Sequence, residues 1–168
     1  NLMEINQLKE LFKAFQFNIF YNYDLKKKNW FNIGGKAKVF FKADNLKDLV
    51  EFLKILENRE KISIIGAGSN TLITDDTYDG VVIKLGKNFN RISLLGEDII
   101  ISGTAVSDKN LAEYAAENNL SGFEFLACIP GTVGGGIKMN AGCFDSEIKD
   151  ILISIQVIDK NGSVLTIP

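Results

Sequence analysis

Histidine is absent from this 168-residue chain. That excludes a Ser-His-Asp triad, a His-ligated metal centre and imidazole acid–base chemistry among these residues. Cysteine is scarce, limited to Cys128 and Cys143. Their spacing fits no zinc motif, no Cys-x-x-Cys redox motif and no disulfide framework, so both are expected as ordinary reduced thiols. No apolar run approaches the ~18 residues that span a bilayer, and membrane insertion is not expected. A basic excess is lacking too. With a net charge of −2 and a pI of about 5.3, the chain has no general field for a nucleic acid backbone, and no nucleic acid partner is expected. Lys26-Lys27-Lys28 is one short basic run and reads as a solvated loop. Residues 1–20 contain no uninterrupted apolar segment and no small-residue cleavage site, which with the low cysteine content leads us to expect a cytoplasmic protein.

What is present is a globular composition, 46% hydrophobic and 24% charged. The length suits one ordinary domain or two small ones. Ile5, Leu8, Leu11, Phe12 and Phe15 recur at helical spacing and predict an amphipathic helix over residues 4–16. Residues 17–36 are polar, aromatic and glycine-containing and read as an extended connector. A β-α-β pattern follows. It has a strand over 37–43, a helix capped by Asp44 or Asn45 and running through Asn58, and a strand over 62–65, the two strands parallel. Further strand is expected at Thr71–Ile73 and Gly80–Leu85, then a hairpin of residues 89–95 and 98–104 about Gly96-Glu97. Val106 or Ser107 begins a helix to about Asn118. Strands at 150–158 and 163–167 form a last hairpin around Asp159-Lys160-Asn161-Gly162.

Two glycine-rich loops carry the chemistry. Gly66-Ala67-Gly68-Ser69-Asn70 follows a strand, where glycines let backbone N–H groups converge on an anion such as a phosphate. The alternative is a tight turn between strands. A Rossmann fingerprint fails here: Thr71 stands where the third glycine belongs, and strand-like residues follow instead of a helix. The second loop, Ile129-Pro130-Gly131-Thr132-Val133-Gly134-Gly135-Gly136, has the glycine separation of a P-loop. Ile137 intervenes before Lys138 and Met139 follows, so triphosphate binding is not expected. What remains is a turn in which Pro130 fixes one φ angle and Thr132 caps a short helix. Its N–H groups again suit an anion, and Asn140-Ala141-Gly142 extends a small-residue surface that a flat ring could approach. Two such loops suit a diphosphate-linked dinucleotide. The competing reading of Gly134 to Gly136 is close helix packing.

Asn29-Trp30-Phe31-Asn32-Ile33-Gly34-Gly35, Gly66-Ala67-Gly68-Ser69-Asn70-Thr71-Leu72, and Gly122-Phe123-Glu124-Phe125 through Gly142 occur in order. Together, from about Asn29 to Pro168, they resemble the UDP-N-acetylenolpyruvoylglucosamine reductase (UDP-N-acetylmuramate dehydrogenase) family. The resemblance implies an α+β FAD-binding domain of the vanillyl-alcohol-oxidase or p-cresol-methylhydroxylase type. It has two α/β subdomains that hold FAD, expected at residues 17–85 and 86–168 after an N-terminal helix over 1–16. It implies that Gly66, Ala67, Gly68, Ser69 and Asn70, with Ile129, Pro130, Gly131, Thr132, Gly134 and Gly135, cradle the FAD pyrophosphate and neighbouring groups. Asn140 and Gly142 would lie close to the cofactor.

The implied reaction reduces UDP-N-acetylglucosamine enolpyruvate to UDP-N-acetylmuramate for peptidoglycan precursor synthesis, with NADPH as hydride donor. The family's catalytic arginine, serine and glutamate belong to segments that follow the strand over 163–167. No residue of this chain is therefore assigned a catalytic role, and Glu124, Ser146, Glu147 and Lys138 are not promoted to one. The chain is expected to hold the flavin-binding half without the substrate-binding domain, to be inactive alone and to be a monomer. Cys143-Phe144 stands where the family has Ala-Tyr, which implies a tuned flavin environment without loss of binding. A non-redox nucleotide-diphosphate-binding module is the alternative function, and a domain whose glycine loops only pack is a third reading.

Overall fold

The apolar stripe of residues 4–16 forms helix α1 (Ile5–Leu11) and then a 3-10 turn over Lys13–Phe15 in a computed structural model. The structure describes residues 3–16, 18–28, 34–71 and 73–168. Leu8, Phe12 and Phe15 are buried. Within the expected connector lies a strand, β1 (Ile19–Asp24), antiparallel to β2 (Lys36–Ala43) with Ile19 opposite Phe41. It is an edge strand whose alternate residues are exposed, so its polar half hides the apolar period. Helix α2 (Leu46–Leu56), β3 (Ile62–Ile65) and β4 (Tyr78–Leu85) complete a sheet of order β1-β2-β4-β3. Both β2 and β3 pair parallel with β4, which lies between them.

Asn45, one of the two caps the sequence offers, caps α2 by accepting the Asp48 N–H at 2.8 Å. Leu49, Phe52, Leu53 and Leu56 bury one side of α2. Phe52 stacks on Phe12 and Phe41 at 4.5 and 4.2 Å between centroids. The sheet has a second apolar cluster of Leu25, Ala37, Phe40, Ile65 and Val82. Burial on both faces explains why β2 and β4 read as continuous apolar runs.

The chain then enters a second compact unit, Gly86–Ile153. It holds the expected hairpin, β5 (Ile92–Leu95) and β6 (Ile99–Ser102), and helix α3 (Asp108–Glu117) capped by Ser107. A 3-10 turn over Glu124–Cys128, helix α4 (Val133–Met139) and a short hairpin, β7 (Gly142–Cys143) and β8 (Ser146–Glu147), follow. Val106, Leu111, Ala112, Phe125, Leu126, Val133 and Ile148 form its core. The final hairpin, β9 (Ile155–Ile158) and β10 (Val164–Ile167), starts later than the sequence predicts, because residues 148–150 form a 3-10 turn. By its contacts, Ser154–Pro168 groups with Asn1–Leu85, whereas the sequence placed all of 86–168 together. A Cβ at Gly162 would lie 3.0 Å from the Val50 carbonyl oxygen, which shows how closely this hairpin's turn meets α2.

Beside the first sheet, Lys38 is 3.2 Å from Glu60 and 3.1 Å from Asp79. Glu60 also accepts the Met3 N–H at 2.7 Å. Burial pulls the Lys38 ammonium down, but hydrogen bonds to Asp79 and Glu60 outweigh it and hold the group above its ordinary value. Lys38→Met leaves the fully buried Glu60 carboxylate without its cation. It is expected to cost ~3 kcal/mol in urea unfolding; a loss below ~1 kcal/mol would show that the ion group contributes little.

Candidate functional site

Because β2, β3 and β4 run parallel, their carboxyl ends share one edge of the sheet, where ligands of open α/β sheets bind. Gly66–Asn70 leaves that edge directly after Ile65. Gly68 is buried and has φ +74°, a left-handed conformation that favours glycine. Ala67 and Asn70 are exposed. The return to β4 contains no strand at Thr71 or Ile73, against expectation. Its course is set by Gly34 and Gly35. The Gly35 N–H donates to the Thr74 carbonyl at 2.7 Å. A Cβ there would stand 2.3 Å from the Asp75 carbonyl oxygen and 2.4 Å from that of Asp76. The remaining motif residues Asn29–Ile33 and Leu72 lie outside the described residues.

The first sheet also carries a charge cluster that the sequence does not display as one. Lys84 is the strand partner of both Lys42 and Ile65. Lys28 lies over the Tyr23 and Phe40 rings at 5.6 and 5.8 Å. Half-buried against those rings, it departs from the solvated loop expected of the basic run. Desolvation, then the charges of Lys28 and Lys42, pull the Lys84 ammonium below its ordinary value. Among the described residues no carboxylate forms an ion pair with any of these three lysines.

In the second unit, Thr132 caps α4 as expected, accepting the Gly135 N–H at 3.4 Å. Ser107 and Thr132 form a bridge flanked by bonds from Asp108 N–H to Gly131 O (3.0 Å) and from Val133 N–H to Val106 O (2.8 Å). The Gly134 N–H donates to Thr104 O at 2.9 Å and the Gly136 N–H to Thr132 O at 2.8 Å. These bonds occupy much of the donor surface expected to face an anion. Among the described residues, the N–H groups of Gly131 and Thr132 have no acceptor.

The three successive glycines therefore divide into two kinds. A Cβ at Gly134 would fall 1.8 Å from Thr104 Oγ1, and one at Gly136 would fall 2.6 Å from Ile148 Cδ1. Both are packing glycines. Gly135 is exposed, and its Cβ would meet only Thr132 Oγ1 at 3.4 Å.

Asn140 ends α4 in the left-handed conformation. Its amide donates to Glu147 at 3.1 Å, and its oxygen accepts the Lys149 N–H at 3.0 Å. Gly142 lets β7 meet β8, since a Cβ would lie 2.7 Å from Ser146 O. The hairpin tip, Phe144-Asp145, has φ values of 50° and 60° and leaves Phe144 80% exposed. Asn140 and Gly142 thus have structural partners of their own.

Asp108 is a residue that sequence patterns do not reveal. An acid in a helix's first turn reads as an ordinary dipole partner. Here it is 1% exposed, and both carboxylate oxygens are buried without a hydrogen-bond partner among the described residues. They approach Gly136, whose Cβ would lie 3.4 Å from Oδ1. Burial pushes this carboxyl up to about 6. Among the described residues there is no group of metal-binding side chains, and no helix is long and apolar enough to cross a membrane.

A parallel-stranded unit and a second unit, each carrying one glycine-rich loop, define a class. The chain belongs to the FAD-binding domain family, whose model matches residues 37–168. It is 60% identical over 166 residues to the UDP-N-acetylenolpyruvoylglucosamine reductase of Pelagibacter ubique, covering 99% of this chain and 55% of the relative. The chain therefore spans about half the length of that relative. The crystal structure of the corresponding reductase from Thermus caldophilus superposes with a TM-score of 0.74 at 28% identity, over 89% of this chain and 51% of that one. p-Cresol methylhydroxylase shares the fold alone, with a TM-score of 0.59 at 19% identity over 96% of this chain and 35% of that one. These likenesses agree with the α+β flavin-binding fold expected from the sequence.

The raised carboxyl of Asp108 has a defined sign. Its folded value of about 6 exceeds the unfolded value of about 3.9. Its stabilising protonation is therefore complete below about pH 4 and lost as pH rises to about 6, on the order of 2–3 kcal/mol in all. Asp108→Asn is expected to abolish that slope and to be the more stable protein at about pH 7. Urea unfolding at several pH values checks this; a stability gap between the two proteins that stays constant with pH would contradict it.

Proposed function

We propose that this chain is the FAD-binding portion of a flavin-dependent UDP-N-acetylenolpyruvoylglucosamine reductase. The observation that carries the reading is the position of the two loops within the family match: Gly66–Asn70 and Ile129–Gly135 both lie in residues 37–168. The residues present fit a diphosphate. Gly68 is in a glycine conformation, Lys84 adjoins the first loop, and the Gly131 and Thr132 N–H groups have no acceptor among the described residues.

In this reading Gly66, Ala67, Gly68, Ser69 and Asn70 hold one side of the pyrophosphate through backbone and short polar groups. Lys84, with Lys42 and Lys28, supplies positive potential. Among the described residues no carboxylate forms an ion pair with this ammonium cluster, so a bound dianion relieves the repulsion among the three charges. Ile129, Pro130, Gly131, Thr132, Gly134 and Gly135 form the second contact. Gly131 and Thr132 donate N–H groups, Gly135 admits close approach, and Gly134 keeps the turn seated on Thr104. Asn140 and Gly142 fix the helix-to-strand geometry beside the cofactor. Phe144 presents an apolar ring where the family has tyrosine. Bound FAD supplies hydride transfer, which no side chain of this chain can perform.

The complete protein then uses NADPH as hydride donor and UDP-N-acetylglucosamine enolpyruvate as substrate, in peptidoglycan precursor synthesis in the cytoplasm. Its proton donor and cationic stabilisers come from outside these residues. The fragment is monomeric and does not turn over the enolpyruvyl substrate.

Fluorescence titration with FAD and with riboflavin tests the reading. FAD is expected to bind at least about tenfold tighter than riboflavin, which lacks both the pyrophosphate and the adenosine. Lys84→Gln is expected to narrow that ratio by about threefold, an effect weakened by salt. Equal affinity for the two flavins, or no binding of either by the folded chain, would contradict it.

A further inference from the structure

The two cysteines, distant in sequence, converge in the second unit. Cys128 ends the 3-10 turn over Glu124–Cys128, and β7, which holds Cys143, packs on that turn. Both segments are anchored by one core: Phe125 and Leu126 belong to it, and Ile129 and Cys143 pack against it. The turn and β7 are therefore held in place by burial. Cys128 is exposed, and Cys143 is half-buried and lines an open polar groove with Gly142, Asp145 and Ser146. Small solutes can reach both. The thiols are close enough to influence one another. Desolvation, and then the neighbouring Cys143 thiol, push the Cys128 thiol up.

We propose that Cys128 and Cys143 are a reversible dithiol/disulfide site, oxidised by hydroperoxides and reduced by small thiols. The sequence separation argued for two unrelated reduced thiols; the fold makes them neighbours. One thiolate attacks the peroxide O–O bond, forming an S–O bond and expelling hydroxide, which takes up a proton as water. The second thiol then displaces the sulfenic hydroxyl, forming the S–S bond and releasing a second water. Each sulfur loses one electron, and the peroxide takes both. Two molecules of a small thiol reverse the step by exchange and leave as their own disulfide.

The closed bridge turns residues 128–143 into a covalent loop that contains Ile129–Gly135 and all of α4. Cross-linking a loop of this size restricts the unfolded chain and stabilises the fold. The inference does not depend on what the glycine-rich turn binds. Protonated thiols react slowly, so bridging should accelerate as pH rises through the thiol range.

The experiment treats the reduced full chain with hydrogen peroxide, quenches it in denaturant with a thiol-alkylating agent, and reads the intact mass and the peptide map. The expected result is joint loss of both thiols at a rate independent of protein concentration. The monomer mass falls by two hydrogens, a Cys128–Cys143 cross-linked peptide appears, and dithiothreitol restores both thiols. The oxidised monomer is expected to melt about 5 °C higher than the reduced one. Cys128→Ser and Cys143→Ser, each checked for an unchanged circular dichroism spectrum, should each lose the intramolecular product and the upward shift in Tm. Persistence of both thiols, oxygen added separately to each sulfur, or cross-links formed only between copies would each overturn the proposal.

Discussion

The structure depends on a missing carbon atom at two positions. Gly35 lies so close to the Asp75 and Asp76 carbonyls, and Gly134 so close to Thr104, that a Cβ would overlap them. Neither contact is a ligand contact. Each instead fixes the path of the segment that carries a candidate phosphate loop. Gly35 holds the return from Gly66–Asn70 to β4, and Gly134 seats the start of α4 so that Gly131 and Thr132 present their N–H groups. Overpacking by one methyl group commonly costs 1–3 kcal/mol. Here the displaced neighbours would include backbone or a β-branched side chain, which yields poorly.

Around these contacts the two units solve different problems. The first buries both faces of its sheet, with Phe12, Phe41 and Phe52 stacked on one cluster and Phe40 with Val82 in another. That sheet aligns three strand ends and brings the charges of Lys28 and Lys42 to bear on Lys84. Among the described residues none of the three is in an ion pair with a carboxylate, and like charges held together are unfavourable for folding alone. The second unit is smaller and held by short elements, each ended by a specific cap: Ser107, Thr132 and Asn140. Its buried Asp108 carboxylate, without a hydrogen-bond donor among the described residues, opposes stability at neutral pH.

Local chemistry was legible in the sequence. Thr132, and the pairs Asp44 or Asn45 and Val106 or Ser107, marked helix starts because a short polar side chain before an apolar period has few other uses there; the structure selects Asn45 and Ser107. The parallel β-α-β relation followed from connection length and handedness. Strand β1 was not legible, since an edge strand with Phe20 and Asn22 facing solvent mimics a connector. Nor were the roles of the successive glycines. Gly134 packs on Thr104, Gly136 on Ile148, and only Gly135 is open, and these partners are fixed by tertiary contacts that no local pattern encodes. The burial of Asp108 and the meeting of Cys128 with Cys143 were hidden for the same reason. The candidate loops themselves were found from glycine content and order, and the fold and family match agree with the resemblance that named them.

The central claim is the proposed one, that this chain binds FAD through its glycine-rich loops. Amide chemical-shift mapping of the nitrogen-15-labelled chain during FAD addition tests it most directly. The account expects saturable shifts at Gly68, Ser69 and Asn70 and at Gly131, Thr132 and Gly135. Shifts confined to one loop, or centred away from both, would contradict it.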